Sequence, residues 1–119
     1  MARHNDFGKK GETMAAEWLI QKGYRIIERN WRHGRYEVDI IARLGDICHF
    51  VEVKTISTPV YGHPEEKVNN KKIKNLMNSA AAWLHSNAPG KRVQYDILSI
   101  TMNDREAPQF LLISDVYLH

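Results

Sequence analysis

The stretch from Arg35 to Lys54, RYEVDIIARLGDICHFVEVK, sets Glu37, Asp39, Glu52 and Lys54 into two otherwise apolar runs joined by Gly45-Asp46. Glycine in the first position suits a two-residue type II′ hairpin turn. With Leu44 opposite Ile47, Val38 meets Val53 and Ile40 meets Val51 on a continuous apolar face. The other face then pairs Ile41 with Phe50, Asp39 with Glu52, and Glu37 with Lys54. Opposed residues have β-carbons only ~4.5–5.5 Å apart, so two carboxylates there destabilise a sheet unless something offsets their repulsion. A divalent cation does so. Magnesium takes oxygen ligands, keeps much of its water and uses one or two protein carboxylates, so Asp39 and Glu52 are a sufficient nucleus for Mg2+, or Mn2+ in its place. Lys54, on the same face, could touch a substrate phosphate, help position or deprotonate an attacking water, and stabilise negative charge growing on phosphorus. Glu37, across from it, would restrain that ammonium as an ion pair, an accessory role. The chemistry indicated is metal-dependent phosphodiester hydrolysis; the plainer alternative is an exposed sheet face carrying a water-screened acid pair.

These strands need elements to hold them. Phe7, Gly11, Met14, Ala15, Trp18 and Leu19 recur at the three- and four-residue offsets of an amphipathic helix that ends at Gly23. Glu12 lies about 60° from Ala15, on the border of the buried face, and its carboxylate could reach inward. Gly8 and Gly11 on that side suit a close backbone approach to a sheet. Strands are expected at Tyr24 to Asn30, Arg35 to Arg43 and Ile47 to Lys54. A second helix is expected from Pro64, with Glu65 and Glu66 in its first turn and the stripe Ile73, Leu76, Met77, Ala80, Trp83 and Leu84. Asn87 to Gly90 stops it, and two further strands are expected at Arg92 to Ile100 and Phe110 to Leu118. The sum is an α/β sandwich around a mixed sheet, in one domain spanning residues 1–119.

Lys67, Lys71 and Lys74 recur opposite the apolar stripe as a basic ridge, which is either a solvated face or a set of nucleic-acid phosphate contacts, as are Arg29, Arg32 and Arg35 around the first strand turn. The loop from Thr55 to Pro64, with Tyr61 and His63, could clamp substrate or form a dimer contact. The 119 residues carry 17 Lys plus Arg and 14 Asp plus Glu, a net charge of +3 that by itself names no partner. The first 35 residues hold eight of the basic residues and four acids, whereas residues 36–54 are rich in acids. No run approaches a membrane span and the N-terminus lacks the apolar core of a secretory signal, so a cytoplasmic protein that does not enter membranes is expected. Cys48, the only cysteine, sits in an apolar run and reads as packing, and the six histidines show no zinc-like spacing.

Asp39 followed by Glu52-Val53-Lys54 resembles the PD-(D/E)-x-K nuclease signature, with Val38 in the proline position. The wider series, GKKGETMAAEWLIQKGYRIIERN leading into YEVDIIA and FVEVK, resembles the YraN-type bacterial family and, more distantly, the archaeal Holliday-junction resolvases. RVQYDILSI resembles a later strand of that family, with Asp96 near its middle. The resemblance implies a restriction-endonuclease-like sandwich, a mixed five-stranded sheet flanked by helices in the order α-β-β-β-α-β-β. It also implies Glu12, Asp39, Glu52 and Lys54 as catalytic residues, with Asp39 and Glu52 on the metal; Asp96 we read as structural or supporting. Tyr36 departs from the family's usual glycine, and Thr55-Ile56 stand where an arginine is common. The function expected is a Mg2+-dependent endonuclease acting on DNA, with branched DNA a candidate substrate. A resolvase-like action calls for a C2 homodimer. The alternatives are a nucleic-acid-binding module of the same fold that does not cut, and a protein-interaction scaffold.

Overall fold

A computed structural model describes residues 2–57, 70–87, 92–103 and 106–116, with side chains in the first helix from Gly8 onward. Helix α1 is Ala2–Gln21, followed by β1 (Arg25–His33), β2 (Tyr36–Leu44) and β3 (Ile47–Ile56); then come α2 (Asn70–Asn87), β4 (Arg92–Asn103) and β5 (Glu106–Ile113). The strands form one mixed five-stranded sheet in the order β1-β2-β3-β4-β5, antiparallel except for the β3–β4 pair. Parallel neighbours need a crossover, and α2 supplies it. The expected order α-β-β-β-α-β-β is the observed one, and the architecture is consistent with a restriction-endonuclease-like fold. Pro64, Glu65, Glu66, Lys67, Tyr61 and His63 lie outside the described residues, as does the Ala88 to Gly90 stop. Among the described residues no helix is long and apolar enough to cross a membrane.

The helices cover opposite faces. Ala15, Ala16 and Leu19 of α1 pack with Ile40, Ala42, Val51, Leu98 and Ile100. Leu76, Ala80 and Trp83 of α2 pack with Val38, Ile41, Cys48 and Phe50. Cys48 is a buried packing residue, as expected. The Gly45-Asp46 turn sets the β2–β3 register from Leu44↔Ile47 to Ile40↔Val51, with Gly45 at φ 61° as the first residue of a II′ turn requires.

The continuous Val38–Val53 face does not form. Val38 packs on the α2 side and Val53 on the α1 side, and the paired register ends at Ile40↔Val51. The change of side runs across both strands. Arg29↔Ile40 and Trp31↔Val38 keep one register, with Asn30 in the left-handed conformation, φ 52°, and Asp39 between them. Glu28 and Trp31, three apart, both face α2: Glu28 accepts a hydrogen bond from Trp83 Nε1, and Trp31 packs beside Val38.

Two strand boundaries also differ from expectation. β1 runs on to His33, because Gly34, φ 61°, makes a second tight turn that pairs His33 with Tyr36. β5 lies earlier than expected: the polar segment Glu106 to Gln109 joins the sheet edge, where a register shift accommodates Pro108. It ends before Asp115, whose N–H turns inward to the Asp96 carboxylate at 2.9 Å. Asp96 is fully buried and also accepts from Gln94 Nε2 at 3.1 Å and bonds His49 Nδ1 at 2.6 Å, a structural hub as its expected role required.

Gly11 sets how closely α1 approaches β3. A Cβ there would stand 2.5 Å from Thr55 Oγ1 and 3.0 Å from its Cγ2. Replacing a mid-helix glycine by alanine gains about 1 kcal/mol of helix propensity, but overpacking against a stiff β-branched side chain costs about 1–3 kcal/mol. We expect Gly11→Ala to destabilise the protein by about 1 kcal/mol, and the same change in a Thr55→Ala background to be neutral or stabilising. Denaturant unfolding of the four proteins checks this; equal stability of wild type and Gly11→Ala would show that the approach is not tight.

Candidate functional site

Where the β2–β3 register ends, the Asp39 carboxylate takes the place of a backbone partner: Val53 N–H donates to Asp39 Oδ2 at 2.8 Å. The side chain therefore lies in the fork between the strands. Glu52 flanks the same fork, and both acids line a groove of about 740 Å³ between β2 and α2. Its other walls are Arg35, Tyr36, Glu37 and Val38 from β2 and its turn, and Lys72, Lys74, Asn75, Leu76, Asn78 and Ser79 from α2. Ser79 Oγ, buried, accepts the Glu37 N–H at 3.3 Å and pins α2 to β2.

Glu12 approaches from the opposite side, directly after the Gly11 contact. Its Oε1 is buried and has no hydrogen-bond partner among the described residues. Burial pushes the Asp39 carboxyl up from an ordinary 3.8 to about 6; the Val53 N–H acts against the rise, and the charges of Glu12, Glu52 and Glu37 add to it. Burial also raises Glu52, opposed by the Lys72 and Lys54 ammonium groups and helped by Glu37. The four expected residues thus share one electrostatic site: Asp39 and Glu52 in the groove, Glu12 acting on Asp39, and Lys54 acting on Glu52.

The other expected residues separate. Glu37 lines the groove mouth and pairs with Arg32 at 3.6 Å, both side chains exposed. Arg29 hydrogen-bonds Thr13 Oγ1 at 2.9 Å, tying β1 to α1 beside Glu12. Arg35 and Lys74 line the groove, whereas Lys71 is exposed on α2 and is not among the lining residues. Lys72 escaped the sequence reasoning, which looked for cations opposite the apolar stripe. The available signal was its position four residues before Leu76 and seven before Ser79, on the flank that faces β2.

Among the described residues no three His, Cys, Asp or Glu side chains are gathered closely enough to hold a metal ion as they stand. A divalent cation fits the donor chemistry nonetheless. Asp39 and Glu52 offer hard carboxylate oxygens in one groove, two protein ligands suffice for a water-rich octahedral shell, and Glu12 Oε1 leaves an acceptor unused nearby.

The Asp39 shift has a sign that can be measured. Between about pH 4 and pH 6 the folded chain keeps a proton on Asp39 that the unfolded chain has released, so stability falls as pH rises through that window. Asp39→Asn keeps an acceptor for Val53 N–H and removes the charge. In chelator we expect the variant to exceed wild type in stability by roughly 1–2 kcal/mol at about pH 7, with the difference shrinking towards pH 4. Urea unfolding at the two pH values checks this, and a variant less stable than wild type at neutral pH would contradict the repulsion.

The match to known proteins covers the elements that build this site. The model of the uncharacterised protein family UPF0102 matches residues 11–100, from Gly11 into β4. A UPF0102 protein of Christiangramia forsetii is 42% identical over 103 residues, covering 87% of each chain. One from Phocaeicola vulgatus is 42% identical over 100 residues, 84% of this chain and 83% of the relative, and one from Leifsonia xyli subsp. xyli is 46% identical over 89 residues, 75% of each. The YraN-type resemblance read from residues 8–54 and the Asp96 strand therefore holds over most of the length, and the chain belongs to the uncharacterised protein family UPF0102.

Proposed function

We propose that this protein is a metal-dependent endonuclease that hydrolyses phosphodiester bonds in DNA, branched DNA included, with Glu12, Asp39, Glu52 and Lys54 as its working residues. The observation that carries the reading is the fork: a half-buried Asp39 whose charge is opposed by Glu12, Glu52 and Glu37, beside a buried Glu12 oxygen with no partner among the described residues. Such a cluster is unfavourable in the resting protein and becomes favourable when a cation neutralises it.

Asp39 and Glu52 would hold Mg2+ or Mn2+, and the ion, when bound, would polarise the phosphate and offset the charge that builds on it. The Val53 N–H fixes one Asp39 oxygen, and the other would be left for the ion. Glu12 would orient the attacking water from the α1 side. Lys54 would compensate negative charge next to Glu52, and Lys72, Lys74 and Arg35 would draw the phosphate backbone in. Symmetric cutting of a branch would further need two such sites related by a two-fold axis.

The test is a panel of labelled linear, flapped and four-way DNAs, with matched RNAs, incubated with Mg2+ or Mn2+. We expect cutting by wild type that chelator abolishes and that Glu52→Ala reduces by about a hundredfold or more. The same substitution should also remove any Mn2+-induced rise in melting temperature. No cutting by either protein, with salt-dependent DNA binding equal in both, would replace the nuclease with a binding module of the same fold.

A further inference from the structure

We infer that the groove receives an unpaired strand of nucleic acid, with nucleotides splayed between Tyr36 and the α2 wall, and not a continuous double helix. The inference rests on the nuclease reading of Asp39 and Glu52 and names the form of substrate that reaches them.

Scale is the first argument. A concavity of about 740 Å³ belongs with pockets that enclose small molecules, roughly 300–1,000 Å³. Duplex DNA is met instead by elements that project into a groove ~12 Å wide and by contact surfaces of roughly 1,000–2,500 Å². Here the acids line a concave slot between a strand and a helix, a shape suited to the entry of one strand.

The walls differ in chemistry. Lys72 and Lys74 are exposed on α2 and supply charge for phosphates, while Asn75 and Asn78, also exposed, each offer an amide donor and acceptor. Lys72 and Asn75, and Lys74 and Asn78, are helical neighbours, so phosphate-binding and base-reading groups lie side by side. Watson–Crick edges are open to such amides only in a nucleotide that is not paired. On the facing wall Tyr36 is half-buried, with the Arg35 guanidinium 5.9 Å from its ring centre, an aromatic and cationic pair of the kind on which single bases stack. The Ser79 bond to the Glu37 N–H joins the two walls and fixes their separation where it forms.

The full chain, in chelator so that nothing is cut, is titrated by fluorescence anisotropy against an unstructured DNA strand, its RNA counterpart and a hairpin duplex of the same sequence. At least one single strand should bind about tenfold or more tightly than the duplex. Tyr36→Ala should lose about tenfold on the strand while Tyr36→Trp keeps it, and Lys74→Ala should lower the salt slope by about 0.7. Duplex binding as tight as strand binding, or strand binding indifferent to Tyr36→Ala, overturns the inference. Metal-dependent cutting of fully paired DNA that Glu52→Ala abolishes would overturn it too, and would leave the nuclease reading standing. Preferential strand binding without any cutting would remove the nuclease and keep the groove's occupant.

Discussion

The carboxylate of Asp39 accepts the Val53 N–H at 2.8 Å, and that bond determines where the central hairpin stops being a hairpin. A backbone N–H in the middle of a sheet must find an acceptor, and the usual one is a carbonyl of the neighbouring strand. Here a side chain takes over, so β2 and β3 part without leaving that donor unsatisfied. The groove between β2 and α2 lies at this level, with Asp39 and Glu52 both on its lining. The same bond holds Asp39 in a setting from which its charge gains little. Burial and three neighbouring acids raise its pKa to about 6, against which one N–H is a partial compensation.

The helices are fixed to the sheet near this level by contacts of different kinds. α1 comes close because Gly11 has no side chain to meet Thr55, and the Arg29 bond to Thr13 holds the next turn to β1. α2 is held by Ser79 at the Glu37 N–H and by Trp83 at Glu28, with Phe50 edge-on to the Trp83 ring at 5.8 Å between centres. Glu28 and Trp31 reach α2 together although three residues apart, with the left-handed Asn30 between them. A regular β1 would direct one of them to the α1 side. The irregularity that spoils a simple face assignment is thus what lets two β1 side chains support α2, and with it the wall that carries Lys72 and Lys74.

What could be read from the sequence was what depended on local chemistry. Gly45-Asp46 specifies a tight turn, the turn specifies the register, and the register brings Ile40 to Val51; beyond that pair the expected Asp39–Glu52 pairing gives way to the Asp39 bond with the Val53 N–H. Helical spacing identified the buried stripes of α1 and α2 and set Glu12 at the border of one of them. What could not be read depended on contacts between distant residues. No period in the sequence announces that Asn30 turns left-handed, or that Asp39 spends an oxygen on Val53, so the expected Val38–Val53 face was wrong. Strand β5 was placed too late because Pro108 and its polar neighbours read as loop, and only pairing with β4 makes them a strand edge. Arg29 and Arg32, grouped with Arg35 by type and spacing, diverge because one is engaged by Thr13 and the other by Glu37.

Two aspartates of the sheet show how the same residue type serves different ends. Asp96, on β4, is surrounded by donors: His49 Nδ1, Gln94 Nε2 and the Asp115 N–H all reach its two oxygens, and it ties the end of the chain into the core. A carboxylate so furnished is part of the scaffold and needs nothing more. Asp39 has one backbone donor and faces Glu12, Glu52 and Glu37, while the Lys72 and Lys54 charges bear on Glu52. Burial alone does not mark a site, since Asp96 is the more deeply buried of the two. The distinction lies in the surroundings: one shell supplies the donors its carboxylate requires, and the other gathers acids around its carboxylate at the edge of a groove with lysines along the facing wall. Positive charge brought from outside would relieve the second cluster and add little to the first, so the fork, not the hub, is where a cation and an anionic substrate would change the energy of the protein most.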